Sequence, residues 1–165
     1  MKQLFRLSSI AVLAVATVMV GCKQSMVISE VDYSQSIESV LTPDSTGMVN
    51  DVKHGLAFNI KPLQYVETQD TSSVTTGQVR YIRGKEGYYY ITAPNYKNVY
   101  VMTPEKSKLK LVKKFTVSES GLTQPAFNQR MSHIQLINRK SGESWKLQPE
   151  QIVKEQSQMV QREEN

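Results

Sequence analysis

Apolar and polar residues alternate with a period of two through most of the stretch from residue 55 to residue 148. Residues 78–83 and 88–92 flank a short segment with a glycine at each end, residues 84–87, and this arrangement predicts a β-hairpin. Both faces of the hairpin carry apolar side chains. We therefore expect it to be covered at least partly on both sides.

The length of the loop determines which residues of this hairpin share a face. With a four-residue loop, Arg83 pairs with Tyr88, and Tyr81 pairs with Tyr90. That register places Tyr81 and Tyr90 on one face and Ile82 on the other.

Further short runs with the same alternation predict additional strands. They cover residues 56–65 with a bend at Pro62, residues 98–103, residues 108–118, and a last hairpin of residues 132–138 and 144–147. Residues 119–130 resemble a long loop in which Leu122 and Phe127 plug the core. Six or seven short strands with no convincing internal helix predict a mainly β fold, a small antiparallel sandwich or barrel.

The segments on either side of this β-domain have different compositions. Residues 22–54 are rich in Ser, Thr, Asp and Gln, which favours a polar tether containing at most a short helix at residues 33–41 or a short strand. Residues 149–165 begin with Pro149 and predict a short helix or a partly ordered tail. The expected organisation is an N-terminal segment of residues 1–21, a tether of residues 22–54, the β-domain of residues 55–148 and a tail of residues 149–165.

The first 22 residues form a pattern of their own. Lys2 and Arg6 precede a mostly apolar run over residues 7–20, and Gly21 then precedes Cys22, the only cysteine. This order is typical of a secretory signal. Residues 19–22 resemble the lipobox of bacterial lipoproteins, with Met19 in place of the usual leucine. The resemblance implies that signal peptidase II cleaves before Cys22 and that the thiol of Cys22 carries a diacylglycerol.

The expected anchor is lipid rather than a membrane-spanning helix. The apolar run is shorter than the roughly 20 residues that a spanning helix needs, which favours a cleaved signal over a signal anchor. Each buried methylene contributes about 0.8 kcal/mol, so two or three acyl chains hold a protein durably on a membrane. Lys23 after Cys22 resembles outer-membrane lipoproteins, which implies a domain facing the periplasm. In a Gram-positive cell the same anchor leaves it on the outer face of the cell membrane.

The formal net charge of +5 is concentrated in the middle of the chain. Residues 77–118 contain nine basic and two acidic residues, together with six of the eight tyrosines. Interleaved cations and aromatic rings can bind a polyanion through charge and stacking. The simpler interpretation, which we favour, is that the tyrosines pack a sheet while the lysines keep strand edges soluble. The candidate interaction surface consists of Arg80, Arg83, Lys85, Tyr88, Tyr90, Lys97, Lys110, Lys113 and Lys114.

Candidate catalytic chemistry is sparse. His54 and His133 have no sequence neighbour at metal-ligand spacing, and no nucleophile, phosphate-loop or zinc-protease motif occurs. We expect no metal, no cofactor and no enzymatic activity, although a Ser/His/Asp triad assembled in space remains a third alternative.

Two function classes follow. The first is an accessory lipoprotein that docks on other envelope proteins, for example in a secretion or conjugation apparatus. The second is a lipoprotein that binds a glycan, a lipid or another anionic ligand through the candidate interaction surface. A lipid-anchored envelope location argues against nucleic acid as a partner.

Overall fold

The computed structural model describes residues 37–106 and 108–155. Those residues contain eleven β-strands and one α-helix, which confirms the predicted mainly β fold. In chain order the elements are β1 (Ser39–Leu41), β2 (Met48–Asp51), β3 (Leu56–Asn59), α1 (Lys61–Thr68), β4 (Val79–Arg83), β5 (Tyr89–Thr92), β6 (Asn98–Glu105), β7 (Lys108–Thr116), β8 (Pro125–Gln129), β9 (Ile134–Asn138), β10 (Glu143–Leu147) and β11 (Ile152–Glu155). Cys22 and the predicted signal lie outside the described residues.

The described strands form three open antiparallel sheets. A five-stranded sheet has the order β1-β4-β5-β6-β7, a four-stranded sheet has the order β11-β10-β9-β8, and β2 pairs with β3. Of the two predicted alternatives, a sandwich and a barrel, the structure is a sandwich. The predicted number of six or seven strands was too low, because β1, β2, β8 and β11 lie in segments that were expected to be a tether, a loop or a tail.

A first core lies between the five-stranded and the four-stranded sheet. Alternate residues of facing strands meet there, as expected for packed sheets. The buried members are Ile82, Tyr90, Val99, Val101, Phe115, Leu122, Phe127, Ile134, Leu136, Trp145 and Leu147. Leu122 and Phe127 were predicted as plugs of this core, and both are buried.

A second core covers the opposite face of the five-stranded sheet. The hairpin β2–β3 and helix α1 pack there and contribute Val49, Ile60 and Leu63. The sheet and its β5–β6 connection contribute Val79, Tyr81, Ile91, Ala93, Tyr96 and Tyr100. The five-stranded sheet is therefore a central layer with apolar side chains on both faces, as the β4–β5 hairpin predicted.

The β4–β5 hairpin has a register one residue away from the predicted one. Arg83 pairs with Tyr89 instead of Tyr88, so the loop contains five residues, 84–88. Gly87 adopts φ +87°, and its N–H donates to the carbonyl of Gly84 at 3.0 Å, which tightens the loop. Because the side-chain period of a strand is two, this shift sends Tyr81 and Tyr90 to opposite layers.

Helix α1 replaces the predicted strand around Pro62. Ile60 occupies the N-cap position without a side-chain capping bond, and Pro62 lies in the first turn of the helix, where a missing N–H costs no hydrogen bond. Leu63 and Gln64 are the buried residues of the helix. The prediction of no internal helix was wrong because a proline in this position suits a helix start as well as a bent strand.

The tether prediction for residues 22–54 is wrong for residues 39–54. β1 is the edge strand of the central sheet, and β2 belongs to the second layer. The last three residues of the helix predicted for residues 33–41 are not helical, because Ser39–Leu41 form β1. The polar composition of this region reflects short strands with one exposed face rather than a linker.

Two other segments also differ from the prediction. β8 lies inside residues 119–130, which were expected to be a loop, and it pairs with β9. The expected C-terminal helix from residue 149 is a strand over Ile152–Glu155, which pairs with β10. Sheet pairing overrides the weak helical pattern there, and residues 156–165 lie outside the described part.

Candidate functional site

The residues of the candidate interaction surface do not lie on one surface. Tyr90 is only 1% exposed and belongs to the first core, and Tyr88 is half-buried beside it. The side chain of Arg80 is 12% exposed and forms an ion pair with Glu38 at 2.9 Å. Glu38 also accepts a hydrogen bond from the backbone N–H of Phe127 in β8, so this pair ties the edges of the two large sheets together.

The tyrosines of the central sheet pack the cores instead of forming a stacking platform. Tyr81, Tyr90, Tyr96 and Tyr100 are all at most 3% exposed. Burial raises the pKa of each of these phenols, and it raises the pKa of Tyr96 to about 12. Of the two interpretations of the tyrosine-rich segment, the structure supports sheet packing.

The remaining cations of the candidate interaction surface are dispersed. Lys85 lies in the exposed β4–β5 loop, and Lys97 is exposed between β5 and β6. The ammonium group of Lys113 donates to the carbonyl oxygen of Glu150 at 2.8 Å, whereas Lys114 is exposed. Lys113 and Lys114 are consecutive in β7 and therefore point to opposite faces of the sheet.

A cluster of four polar side chains joins three elements of the fold, and we refer to Ser39, Asp51, His54 and Tyr81 as the Asp51 cluster. Asp51 Oδ2 accepts hydrogen bonds from Tyr81 at 2.6 Å, Ser39 at 2.8 Å and His54 Nδ1 at 2.9 Å. Asp51 Oδ1 accepts from the backbone N–H of His54 at 3.2 Å, which closes the turn between β2 and β3. The cluster links β1, β4 and the β2–β3 turn.

The electrostatics of the Asp51 cluster favour an ionised carboxylate. The Tyr81 hydrogen bond is the largest of the contacts that hold the pKa of Asp51 well below its usual range. Burial and the hydrogen bond to Asp51 raise the pKa of Tyr81. An ionised carboxylate can only accept, so the proton of the neutral His54 ring resides on Nδ1.

The Asp51 cluster contains Ser, His and Asp without the connectivity of a catalytic triad. In a triad the serine hydroxyl is bonded to the histidine nitrogen opposite the one that the aspartate holds. Here Ser39 Oγ donates to Asp51 and lies 3.4 Å from His54 Nδ1, on the same side of the ring. His54 therefore does not activate Ser39 in this arrangement. The sequence signal for this cluster was the Asp51-x-x-His54 turn, which the sequence analysis did not single out.

The other histidine lies on the four-stranded sheet. His133 Nε2 is 3.9 Å from a carboxylate oxygen of Glu155. Burial and the charge of Lys146 lower the pKa of His133. Glu155 also accepts hydrogen bonds from Gln135 and Ser144, so its carboxylate is held by neighbours on its own sheet.

A small cleft lies beside the Asp51 cluster, and we call it the Arg83 cleft. It has a volume of about 230 Å³ and is lined by Ile37, His54, Tyr81, Arg83 and Tyr89. The guanidinium carbon of Arg83 lies 5.6 Å from the centre of the Tyr89 ring, so the cation already covers one aromatic face. The cleft is smaller than the roughly 300–1,000 Å³ of common ligand pockets, which limits it to a small group.

A larger and more apolar groove separates the second layer from the central sheet near β7. We call it the apolar groove; it has a volume of about 340 Å³. Its lining residues are Ala57, Phe58, Asn59, Pro62, Leu63, Ile91, Met102, Lys108 and Leu109. It thus extends across the sheet from β5 to β7, with β3 and α1 as its opposite wall.

Strand β7 lies at the outer edge of the central sheet as far as the described residues extend, pairing only with β6. The register shifts opposite Val101 and Met102, leaving Val112 as an extra residue in a β-bulge. Strict alternation along β7 would place Leu109 and Leu111 on the same face as Phe115, and the bulge separates them. Leu109 packs against the second core, and Leu111 shares its face because it pairs with Met102, whereas Phe115 enters the first core.

Residues 37–106 and 108–155 contain no group of three or more His, Cys, Asp or Glu residues arranged to hold a metal ion. Within those same ranges, no helix combines the length and the apolar character needed to cross a bilayer. Comparisons with protein families, with characterised proteins and with solved structures find no match to this chain.

Proposed function

We propose that this chain is a lipid-anchored bacterial envelope protein that docks on another envelope protein and carries out no catalysis. The anchor half of the proposal is supported by residues 1–22, which have the order of a lipoprotein signal ending at Cys22. The acyl chains on Cys22 hold the protein on the membrane, and the β-domain provides the binding surface.

The docking half rests on one observation, the apolar surface on the second-layer side of the central sheet near β7. The apolar groove there is lined mainly by aliphatic and aromatic side chains, and it adjoins Leu111, which is 47% exposed. Val112, next to it on the same edge strand, is 48% exposed. Contiguous apolar patches on a soluble domain commonly mark interaction sites.

The polar clusters of the domain support a binding role rather than a catalytic one. The Asp51 carboxylate is saturated by donors that connect β1, β4 and the β2–β3 turn. Glu67 of α1 similarly accepts from Asn98 and Tyr100, which fixes the helix on the central sheet. These groups stabilise the layers from which the groove is built.

The test is a pull-down of the tagged full-length protein in mild detergent, alongside a Cys22→Ala variant. Mass spectrometry of the amino-terminal peptide detects the lipid modification, and mass spectrometry of the bound proteins identifies the partner. We expect a lipidated Cys22 and a reproducible partner that is lost with the anchor. An unlipidated terminus would remove the anchor half of the proposal.

The Arg83 cleft favours a second candidate, a lipoprotein that binds a small anionic ligand. Arg83 supplies donors, and Tyr81 and Tyr89 supply aromatic surface. This version does not use the dispersed lysines. A lipidated protein without partners, together with salt-sensitive binding of a small anion that Arg83→Ala abolishes, would favour the ligand-binding function.

A further inference from the structure

The chemistry of β7 identifies the kind of partner that its edge accepts. β7 runs from Lys108 to Thr116 and carries four lysines and no acidic residue, Lys108, Lys110, Lys113 and Lys114. Lys110 is 62% exposed, and its nearest acidic neighbour is Glu105 of β6 at 3.9 Å. By register, Lys108, Lys110 and Lys113 share the face of β7 that is opposite the second layer, and we call these three residues the lysine row, whereas Lys114 lies on the other face. The lysine row lies beside backbone groups of β7 that no described strand pairs with.

A second copy of this chain does not suit that edge. Pairing β7 with β7 in an antiparallel dimer would bring the lysines of one copy next to those of the other, and like charges opposite each other destabilise a ladder. An incoming strand with acidic side chains on one face would instead bring them next to Lys108, Lys110 and Lys113. Charge thus disfavours self-association and favours an acidic strand.

Apolar contacts add a second requirement on the partner. Lysines alone suffice to protect an edge from unwanted pairing. Here, however, Leu111 and Val112 are exposed at the bulge, and Leu109 of the same strand lines the apolar groove. A strand placed beside β7 can direct one side chain over Leu109 into the groove, towards Phe58 and Met102.

We propose that the β7 edge and the apolar groove form a strand-addition site for an extended acidic segment of another protein, with one apolar side chain of that segment in the groove. Main-chain hydrogen bonds to β7 provide affinity, and the groove and the lysine row provide specificity. This inference rests on the proposed docking function and names the chemistry of the docked segment.

The test uses the lipidated full-length protein in neutral detergent micelles and three fluorescein-labelled octapeptides. The first alternates Glu and Leu, the second alternates Lys and Leu, and the third is the acidic peptide with a central proline. Fluorescence anisotropy at low salt measures binding, and protein-free micelles provide the baseline. We expect binding of the first peptide and at least about tenfold weaker binding of the other two.

Variants of the protein locate the binding site. Leu111→Ser should weaken binding of the acidic peptide about tenfold, because a strand beside β7 covers the exposed part of the Leu111 side chain. Val153→Ser is the matched control, because Val153 is 51% exposed on β11, the edge strand of the other large sheet. The double variant Lys108→Glu with Lys110→Glu should reverse the preference, so that the Lys/Leu peptide binds better.

Equal binding of the three peptides would overturn the proposal, as would equal losses for Leu111→Ser and Val153→Ser. The pull-down separates this inference from the docking function itself. A partner recovered equally with wild type and with Leu111→Ser would leave docking intact and exclude this edge. No partner with either protein would refute docking, whereas the peptide titration would still decide the chemistry of the edge.

Discussion

Replacing Asp51 by Asn tests whether the Asp51 cluster holds the layers together. Asparagine has the same shape, but one of its two terminal groups is a donor. If the amide nitrogen takes the place of Oδ2, it faces three donors, from Tyr81, Ser39 and His54. If it takes the place of Oδ1, it faces the backbone N–H of His54. Either orientation therefore loses hydrogen bonds.

The expected loss in the free energy of unfolding follows from the number of hydrogen bonds to Asp51 that the substitution removes. A hydrogen bond to a charged group contributes about 1.5–3 kcal/mol, and the neutral oxygen of asparagine retains part of each bond. The Asp51 side chain is 7% exposed, so water replaces the lost partners poorly. We expect Asp51→Asn to reduce the free energy of unfolding by about 2–4 kcal/mol and the melting temperature by about 10 °C.

The effect should depend on pH in a defined direction. The pKa of folded Asp51 is lowered, so its stabilisation is present above the unfolded-state pKa of about 3.9 and is lost as the pH falls through the folded-state pKa. Urea denaturation of both proteins at several pH values measures the difference. It should be constant above about pH 5 and shrink below about pH 4.

Glu119→Gln is the matched control for the loss of a carboxylate, because Glu119 is exposed. It should change the free energy of unfolding by no more than about 0.5 kcal/mol. If Asp51→Asn is as stable as wild type at neutral pH, the cluster does not hold the layers. A difference that stays the same from pH 7 to pH 3 would refute the assigned charge of Asp51.

Three further substitutions test other parts of the fold by urea denaturation. Tyr100→Phe should cost about 1–2 kcal/mol, since the hydroxyl donates to Glu67 at 2.6 Å, and an unchanged unfolding midpoint would contradict this anchor of α1. Leu136→Ala should cost about 2–5 kcal/mol because the side chain is fully buried in the first core; a cost below about 1 kcal/mol would mean that this core is loose. Gly121→Ala should cost about 3 kcal/mol, because Gly121 has φ +88° and the new Cβ would lie 2.5 Å from the carbonyl oxygen of Asn95; wild-type stability would exclude that close approach.

Local sequence pattern was sufficient for elements whose partners are close in the chain. The alternation over residues 132–138 and 144–147 predicted the last hairpin, which the structure has as β9 and β10. The apolar residues Leu122 and Phe127 were expected in the core because they stand out in a polar segment, and both are buried. Such predictions depend on contacts that a short window contains.

The candidate site depended on long-range contacts and was mostly missed. Ser39, Asp51 and Tyr81 belong to different strands, and no short window of sequence contains all three. The polar composition of residues 22–54 therefore suggested a tether, whereas its strands are held by contacts with β4 and the central sheet. Lysines of the middle segment were grouped by sequence, but alternation placed neighbours such as Lys113 and Lys114 on opposite faces.

By itself, the sequence determined the mainly β class and the positions of most turns, because both follow from local composition and periodicity. The tertiary structure alone decided which face of each strand is buried and what covers it. A loop one residue longer than expected sent Tyr81 and Tyr90 to opposite cores, and one bulge at Val112 separated Leu109 from Phe115. Alternation along a strand specifies only which side chains share a face. Long-range pairing between strands decides which layer of the fold covers that face.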